Sequence, residues 1–362
     1  MEAAQQRDRS RPTMRDVGAL AGVSFKTVSR VVNGEGNVSP DLAERVNAAI
    51  SELGYQRDSR ASQLRSAERG TKTIGFVQVD AQNPFFSSIF RGLEDVMYDA
   101  GYIVFSGSSD GRTDHQDALI TEFISRRVDG LAVVPSGDHL DVLRSEVERG
   151  TPVVCIDLDP SGLSVDVVMT DHRNGARDAV RHLIGHGHRQ IAFLGDRQDI
   201  FSASERLRGY EDAMGEAGLP VAPSLIVTGL SEPAAARRAT ARMLDRSNRP
   251  TALFTAQNMI TLGAIKAVHE QGVQHRVAMV GFDDVVLGDV LDPGISVVPQ
   301  DPFELGRIAG GRLLRRLLGE QFPPERTVLP TRVVARGSGE IPGPGSALED
   351  AAFEDAASEG AS

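Results

Sequence analysis

Thr13 to Asn33, TMRDVGALAGVSFKTVSRVVN, decides how the chain begins, because its residues encode two short helices around a tight turn. Thr13 followed three positions later by Asp16 is a helix start: the hydroxyl satisfies a free amide and the carboxylate sits at the positive end of the dipole. Val17, Leu20 and Ala21 supply one apolar face. Gly22 tolerates the left-handed conformation that ends a helix, Ser24 caps the next, and Val28, Val31 and Val32 turn inward against the first. Phe25, Lys26, Thr27, Ser29 and Arg30 are left facing outward. Donors, a cation and an aromatic at the start of a second helix are what reading base edges in the DNA major groove requires; an ordinary helical hairpin is the alternative.

Asp16, Val17, Ala21 to Ser24 and Thr27 to Asn33 meet the pattern D-V-x-x-x-A-G-V-S-x-x-T-V-S-R-V-V-N. By it the segment resembles the DNA-binding headpiece of the lactose/galactose/purine repressor family of bacterial transcription regulators. The similarity continues through Val38 and a third helix, where Ser39 caps, Pro40 takes the first position, and Val46, Ala49, Ile50 and Leu53 close a three-helix core before Gly54. Tyr55 opens the link to the next domain. The DNA-facing candidates are Thr13, Ser24, Phe25, Lys26, Thr27, Ser29, Arg30, Asn33 and Ser39.

A chain of 362 residues with 40% hydrophobic content is long enough for more than one domain and several large cores. Residues 1–70 carry 11 basic and 9 acidic groups, a balance of +2, so the rest holds −13 of the overall −11. DNA affinity therefore has to come from local placement of Arg and Lys, since the acidic bulk repels DNA. Arg7, Arg9 and Arg11 form a basic tail, either solvated or touching phosphates. Lys26, Lys72 and Lys266 are the only lysines. Cys155 is the one cysteine, which rules out an intramolecular disulfide, and its place in the run Val153 to Ile156 suits a buried structural thiol. There is no secretory signal and no apolar run of about 18 residues, so a soluble, cytoplasmic protein without membrane contact is expected.

From Thr73 the pattern becomes short β-rich apolar runs alternating with amphipathic stretches. Ile74 to Val79, Ile103 to Ser106, Leu131 to Val134 and Val153 to Ile156 read as buried parallel strands, with helices over Phe85 to Ala100, His115 to Arg126 and Leu140 to Arg149. A second set begins near Val167, with strands at Ile191 to Leu194, Leu225 to Val227, Ala252 to Thr255 and Val277 to Phe282. Its helices lie near Ala176 to Gly185, Glu205 to Ala217, Ala234 to Asp245 and Leu262 to Gln271. Two parallel-sheet halves imply a cleft, with ligands at the carboxyl ends of the strands. The fold class expected is an all-α helix-turn-helix headpiece followed by an α/β core of two parallel-sheet subdomains, which the family resemblance makes periplasmic-binding-protein-like with three crossings between halves. The division is 1–12 tail, 13–56 helix-turn-helix domain, 57–72 hinge helix and linker, 73–336 effector-binding and dimerisation core, and 337–362 tail. Within the core, 73–168 with 299–325 form an N-subdomain, and 169–298 with 326–336 a C-subdomain.

Carried over position by position, the resemblance implies an effector site. Phe85 and Phe86, in N-P-F-F after the first strand, either stack on a ligand or pack. Asp157 either accepts ligand hydroxyls or holds a loop. Arg206, in ERLRGY, matches the family's effector-binding arginine, whose planar fork can grip vicinal hydroxyls or a carboxylate. Ser202 lies four residues earlier, and Asp283, in G-F-D-D, matches the carboxylate that holds ligand from the far half; Asp284 beside it reads as structural. Where many sugar-responsive relatives have Asn-Asp, this chain has Gln257 and Asn258, and Leu230 stands where relatives often place an aromatic against the ligand. The hinge departs as well: Arg57 and Asp58 replace the common Pro-Asn, while Arg60, Ala61 and Leu64 keep the framework of a short helix. By resemblance Leu64 wedges into the minor groove, and Arg57, Arg60 and Arg65 offset the charge of Asp58 near phosphates.

Enzyme readings find little support. Gly107 to Gly111 follows a strand but matches neither a phosphate loop nor a dinucleotide fingerprint. His182, His186 and His188 come without Cys or Glu in metal-ligand spacing and read as a helix stop, and there is no G-x-S-x-G elbow. No cofactor or metal is expected. From Gly337 onward the chain holds six acidic and no basic residues, reads as disordered, and lacks a leucine heptad, which favours a dimer over a tetramer; the family resemblance implies that it forms between core domains through helices such as 84–100. The expectation is a dimeric transcriptional repressor on a pseudo-palindromic operator, controlled by a small polar effector, foremost a sugar. A purine or other corepressor, a ligand sensor with a weak headpiece, and an activator are the alternatives.

Overall fold

The computed structural model describes residues 12–32, 34, 38–55, 70–137, 139–160 and 162–344. Asn33, the hinge positions Arg57, Asp58, Arg60, Ala61, Leu64 and Arg65, the tail 1–11 and positions 345–362 lie outside the described residues. The chain divides into two units, 1–70 and 71–362.

In the first unit, helices α1 (Met14–Ala21), α2 (Phe25–Val32) and α3 (Pro40–Leu53) enclose a small core of Val17, Ala21, Val28, Val46 and Ala49. Tyr55 packs on the same core. Thr13 and Asp16 close a reciprocal capping box, with the Thr13 amide donating to the Asp16 carboxylate at 2.7 Å. Those bonds to Thr13 hold the Asp16 carboxyl below its ordinary pKa. Gly22 ends α1 at φ 64°, and the Arg45 guanidinium from α3 donates to the Ala21 carbonyl at 2.6 Å, a cation at a helix C terminus that also ties α1 to α3. Two sequence readings are corrected. Leu20 is 46% exposed and belongs to no core. Ser39 occupies the N-cap of α3 but makes no side-chain cap bond; its carbonyl starts the helix instead.

The second unit holds two parallel sheets. The first is built from β1 (Thr73–Gln78), β2 (Ile103–Ser108), β3 (Gly130–Val133), β4 (Val153–Ile156), β5 (Asp166–Thr170) and β11 (Arg326–Leu329), in the order β11-β5-β4-β3-β1-β2. Helices α4 (Pro84–Asp99) and α11 (Pro302–Leu317) cover one face, and α5 (Thr113–Ser125) and α6 (Asp141–Glu148) the other. The second has β6 (Ile191–Leu194), β7 (Ile226–Val227), β8 (Ala252–Thr255), β9 (Ala278–Phe282) and β10 (Ser296–Val298), in the order β10-β9-β8-β6-β7. Helices α7 (His172–Gly185) and α8 (Phe201–Glu216) lie on one face, and α9 (Pro233–Leu244) and α10 (Asn258–Glu270) on the other. Apart from the added β11 the halves repeat one topology, in which β1, β2, β3, β4 and β5 correspond to β6, β7, β8, β9 and β10. The chain crosses between them after β5, after β10 and after β11.

The helix pairs are set by glycines where backbones nearly touch. A Cβ on Gly306 of α11 would fall 2.0 Å from the Ile89 carbonyl of α4, and one on Gly92 of α4 would fall 2.0 Å from the Phe303 carbonyl of α11. Cys155 is fully buried in β4, and burial pushes its thiol pKa up to about 12, as suits a structural residue.

Three boundaries differ from the sequence reading. β5, where the second set was expected to begin, belongs to the first sheet, and β11 pairs with it, so 326–329 are part of the N-subdomain rather than the C-subdomain. β2 is an edge strand rather than a buried one, with Ile103 62% and Phe105 47% exposed, because among the described strands only β1 pairs with it and its outer edge is left uncovered. The tail does not begin at 337. Ser338 is 2% exposed and bonds the Ser296 amide and Met279 carbonyl, His188 meets the Ile341 carbonyl, and the Gly343 amide donates to His186. Burial would raise the Glu340 pKa, but bonds from His182, Ser296 and the Gly337 amide outweigh it and hold the carboxyl at about 2. The histidines therefore tether 337–343 to the second half. No described helix is long and apolar enough to cross a membrane.

Candidate functional site

In the first unit Phe25, Lys26 and Arg30 are exposed on α2, while Thr27 and Ser29 are half-buried beside them. Ser24 precedes the helix; its Oγ accepts from the Thr27 amide at 3.2 Å and lies 2.9 Å from the Thr27 hydroxyl. That bond fixes the start of the helix whose first residues stand outward, the part that reaches base edges in a helix-turn-helix. Thr13 and Ser39 are exposed at the starts of α1 and α3; the capping box occupies the Thr13 and Asp16 amides, whereas α3 has no side-chain cap.

In the second unit a cavity of about 360 Å³ opens at the carboxyl ends of both sheets. All seven effector candidates, Phe85, Phe86, Asp157, Ser202, Arg206, Gln257 and Asp283, line it. Leu230 does not; it packs in the core under α9 and α10. Phe85 and Phe86 are 9% and 8% exposed and edge-on to each other in the core of the first half, so packing claims most of their surface and the cavity only an edge.

Asp157 and Asp283 take equivalent places, each one residue past the fourth strand of its half, and both are left-handed, at φ 65° and 68°. A non-glycine residue held there costs roughly 1–3 kcal/mol, less for Asp than for most, and such strain gathers at functional sites. Asp157 is 8% exposed; its Oδ1 lies 3.1 Å from His172 Nε2 without the alignment of a hydrogen bond, and neither atom makes a hydrogen bond elsewhere. Asp283 accepts from the Gln300 side-chain amide.

Arg206 enters from α8 and is 5% exposed. One terminal nitrogen donates to the Ala256 carbonyl at 2.8 Å and lies 3.9 Å from Asp283, and the other meets His172 Nδ1 at 3.3 Å. Its guanidinium lies over the Phe282 ring, 4.0 Å from the centroid, and Nε alone is unpaired. The fork the sequence offered to a ligand is thus largely committed within the protein.

Sequence reading missed four contributors. Asp196, two residues past β6, lines the cavity as Asp80 does two residues past the equivalent β1, and burial raises its carboxyl pKa. Gln300, two past β10, and His172, behind Asp157 and Arg206, complete the polar set. The strand-end rule was sufficient to point to Asp196 and Gln300. The fourth is a bridge: Asn258 Nδ2 donates to Asn83 Oδ1 at 2.8 Å and Asn83 Nδ2 to Asn258 Oδ1 at 3.2 Å, joining the two halves through residues only 4% and 6% exposed. No local signal pairs positions 175 residues apart. Asp284, outside the cavity, forms a two-bond ion pair with Arg336, which holds its carboxyl pKa down.

Residues 13–58 match the model for bacterial regulatory proteins of the lacI family, and residues 180–339 the periplasmic binding protein-like domain. The chain is 32% identical over 332 residues to the HTH-type transcriptional repressor PurR of Aliivibrio fischeri (strain MJ11), covering 90% of this chain and 98% of the relative. It is 31% identical to the ribose operon repressor of Escherichia coli (strain K12), covering 90% and 99%. Among solved structures it is similar to the lac repressor dimer bound to operator and the anti-inducer ONPF, with TM-score 0.78, 27% identity, and 91% and 99% of the two chains covered.

Proposed function

The chain belongs to the lacI family of bacterial regulatory proteins and is a DNA-binding transcriptional repressor with a ligand-binding core, not an enzyme; we propose that its effector is a sugar of about single-ring size. The observation that carries this reading is the cavity lining. Among the buried side-chain atoms of the described lining, Asp157 Oδ1, Gln257 Oε1 and Gln300 Oε1 are acceptors without a hydrogen bond, and Arg206 Nε is the one such donor. Hydroxyls satisfy such a set, since each can donate to a carboxylate or amide oxygen and accept in return. A purine needs a broad aromatic face, and Phe85 and Phe86 offer only edges. At 360 Å³ the cavity is at the small end of the roughly 300–1,000 Å³ range of ligand pockets.

The protein acts as a homodimer on a pseudo-palindromic operator, each headpiece presenting Phe25, Lys26, Thr27, Ser29 and Arg30 to one half-site. Tyr98 of α4 and Ile103 and Phe105 of β2, 76%, 62% and 47% exposed, offer an apolar surface for self-association through the first half of the core. Ligand closing the cleft changes operator affinity through the 57–72 segment. Selection of genomic fragments on the purified protein at about physiological ionic strength tests this reading. One enriched pseudo-palindrome, with occupancy changed by a sugar, supports it; no enrichment with or without sugars and nucleobases refutes it.

A further inference from the structure

Building on the sugar reading, we infer that the core takes a free sugar and rejects its phosphate ester, so that the signal is a sugar before a phosphoryl-transfer reaction has consumed it. Six carboxylates line the cavity: Asp80, Asp110, Asp157, Asp196, Glu232 and Asp283. Two guanidiniums face them, and each is already engaged by a carboxylate or a carbonyl. Arg197 is bound through two nitrogens to Asp199, at 3.0 and 2.8 Å. Arg206 has its terminal nitrogens on Ala256 and His172 with Asp283 beside it, which leaves Nε and no fork to grip a phosphate through two bonds. No lysine lines the cavity.

Helix N termini are the other source of anion affinity, and two of those at the cavity have an amide already bonded to a side chain. Asn83 Oδ1 caps the Phe85 amide of α4 at 3.0 Å, and Asn258 Oδ1 accepts from Met259 in α10 at 2.8 Å. The start of α8 has no side-chain cap, and Asp196, five residues before it, lines the cavity. A phosphate entering the cleft meets six lining carboxylates against two guanidiniums that already have partners. Neutral hydroxyls carry no charge for those carboxylates to repel, and Gln257 and Gln300 add amide groups to the lining.

The test is calorimetric titration of the full chain with matched sets of hexoses and pentoses, each as the free sugar and as its phosphate ester, with hypoxanthine alongside. At least one free sugar binds, and its ester binds at least 100-fold more weakly. An ester that binds as well as or better than its parent overturns the inference and leaves the sugar site standing. Binding of hypoxanthine and of no sugar overturns the sugar reading and the inference together. In the double variant Asp196→Asn, Glu232→Lys, the gap between sugar and ester narrows at least tenfold; an unchanged gap overturns charge as its cause.

Discussion

Replacing Asn258 with alanine should loosen the two halves of the core from each other while leaving each half folded. The side chain is the first residue of α10 and exchanges two buried hydrogen bonds with Asn83, at 2.8 and 3.2 Å. A neutral hydrogen bond contributes about 0.5–1.5 kcal/mol net, so the pair favours the apposed arrangement by about 1–3 kcal/mol. That is roughly a 5- to 150-fold bias in the opening equilibrium. Single variants alone mislead, because Asn83 also caps α4 through Phe85, a bond whose loss costs about 1 kcal/mol by itself. The assay is therefore a double-mutant cycle, with Asn83→Ala, Asn258→Ala and the double variant compared by urea unfolding of the core. A coupling energy of about 1–3 kcal/mol is expected. Coupling under about 0.5 kcal/mol, within the scatter of independent sites, would refute the bridge as an energetic link.

Arg206→Ala should weaken sugar binding at least 100-fold and abolish the ligand response while sparing operator binding; an unchanged response in a mobility-shift titration removes it from the site. Arg30→Ala should cost about 1–3 kcal/mol on the selected operator and far less on random DNA, and equal losses on both would sink a base-reading role. Gly306→Ala places a Cβ 2.0 Å from the Ile89 carbonyl, and overpacking against backbone costs about 1–3 kcal/mol, enough to lower Tm by several degrees. Gly311→Ala on the same helix meets nothing within 4 Å and should leave Tm unchanged or slightly raised, so equal effects of the two would count against the crossing argument. Glu340 has its folded pKa held at about 2 against an ordinary 4.5, so its contribution is complete above about pH 5 and fades as pH falls toward 2. Urea midpoints of wild type and Glu340→Gln should therefore differ at pH 6 and converge near pH 2.5; a constant difference would contradict the linkage.

Elements with a local cause were legible in the sequence, and those with a distant cause were not. The Thr13 capping box and the Gly22 stop are made by residues within a few positions of each other, and α1 and α2 form where those residues place them. Buried runs such as Ile191 to Leu194 form strands because covered parallel sheets bury both faces. β2 looks identical in composition, yet it lies at the edge, because strand order depends on crossovers rather than on local pattern. The last packed segment was misread for a related reason. Gly337 to Gly343 has the composition of a loose tail, and it is held by Ser296, Met279, His182 and His188, which lie far from it in sequence. Arg206 was legible as a cavity residue, but its engagement with Ala256 and His172 was not, and that engagement changes which ligands it can hold.

The repeat of topology between the halves explains why the cleft is built for one kind of event. Asp157 and Asp283 occupy equivalent strand ends on opposite halves, each in a left-handed conformation that local preference disfavours. Neither strain serves packing, since a glycine would adopt the same φ at less cost. What a glycine lacks is the carboxylate, so the strain is tolerated for the oxygens it carries into the cavity. A ligand that satisfies Asp157 from one half and Asp283 from the other has to touch both, and it does so best when they are close. Binding and closure are then linked by free energy: whatever favours the apposed halves, including the Asn83–Asn258 bridge, raises the affinity of such a ligand by the same factor that the ligand favours closure.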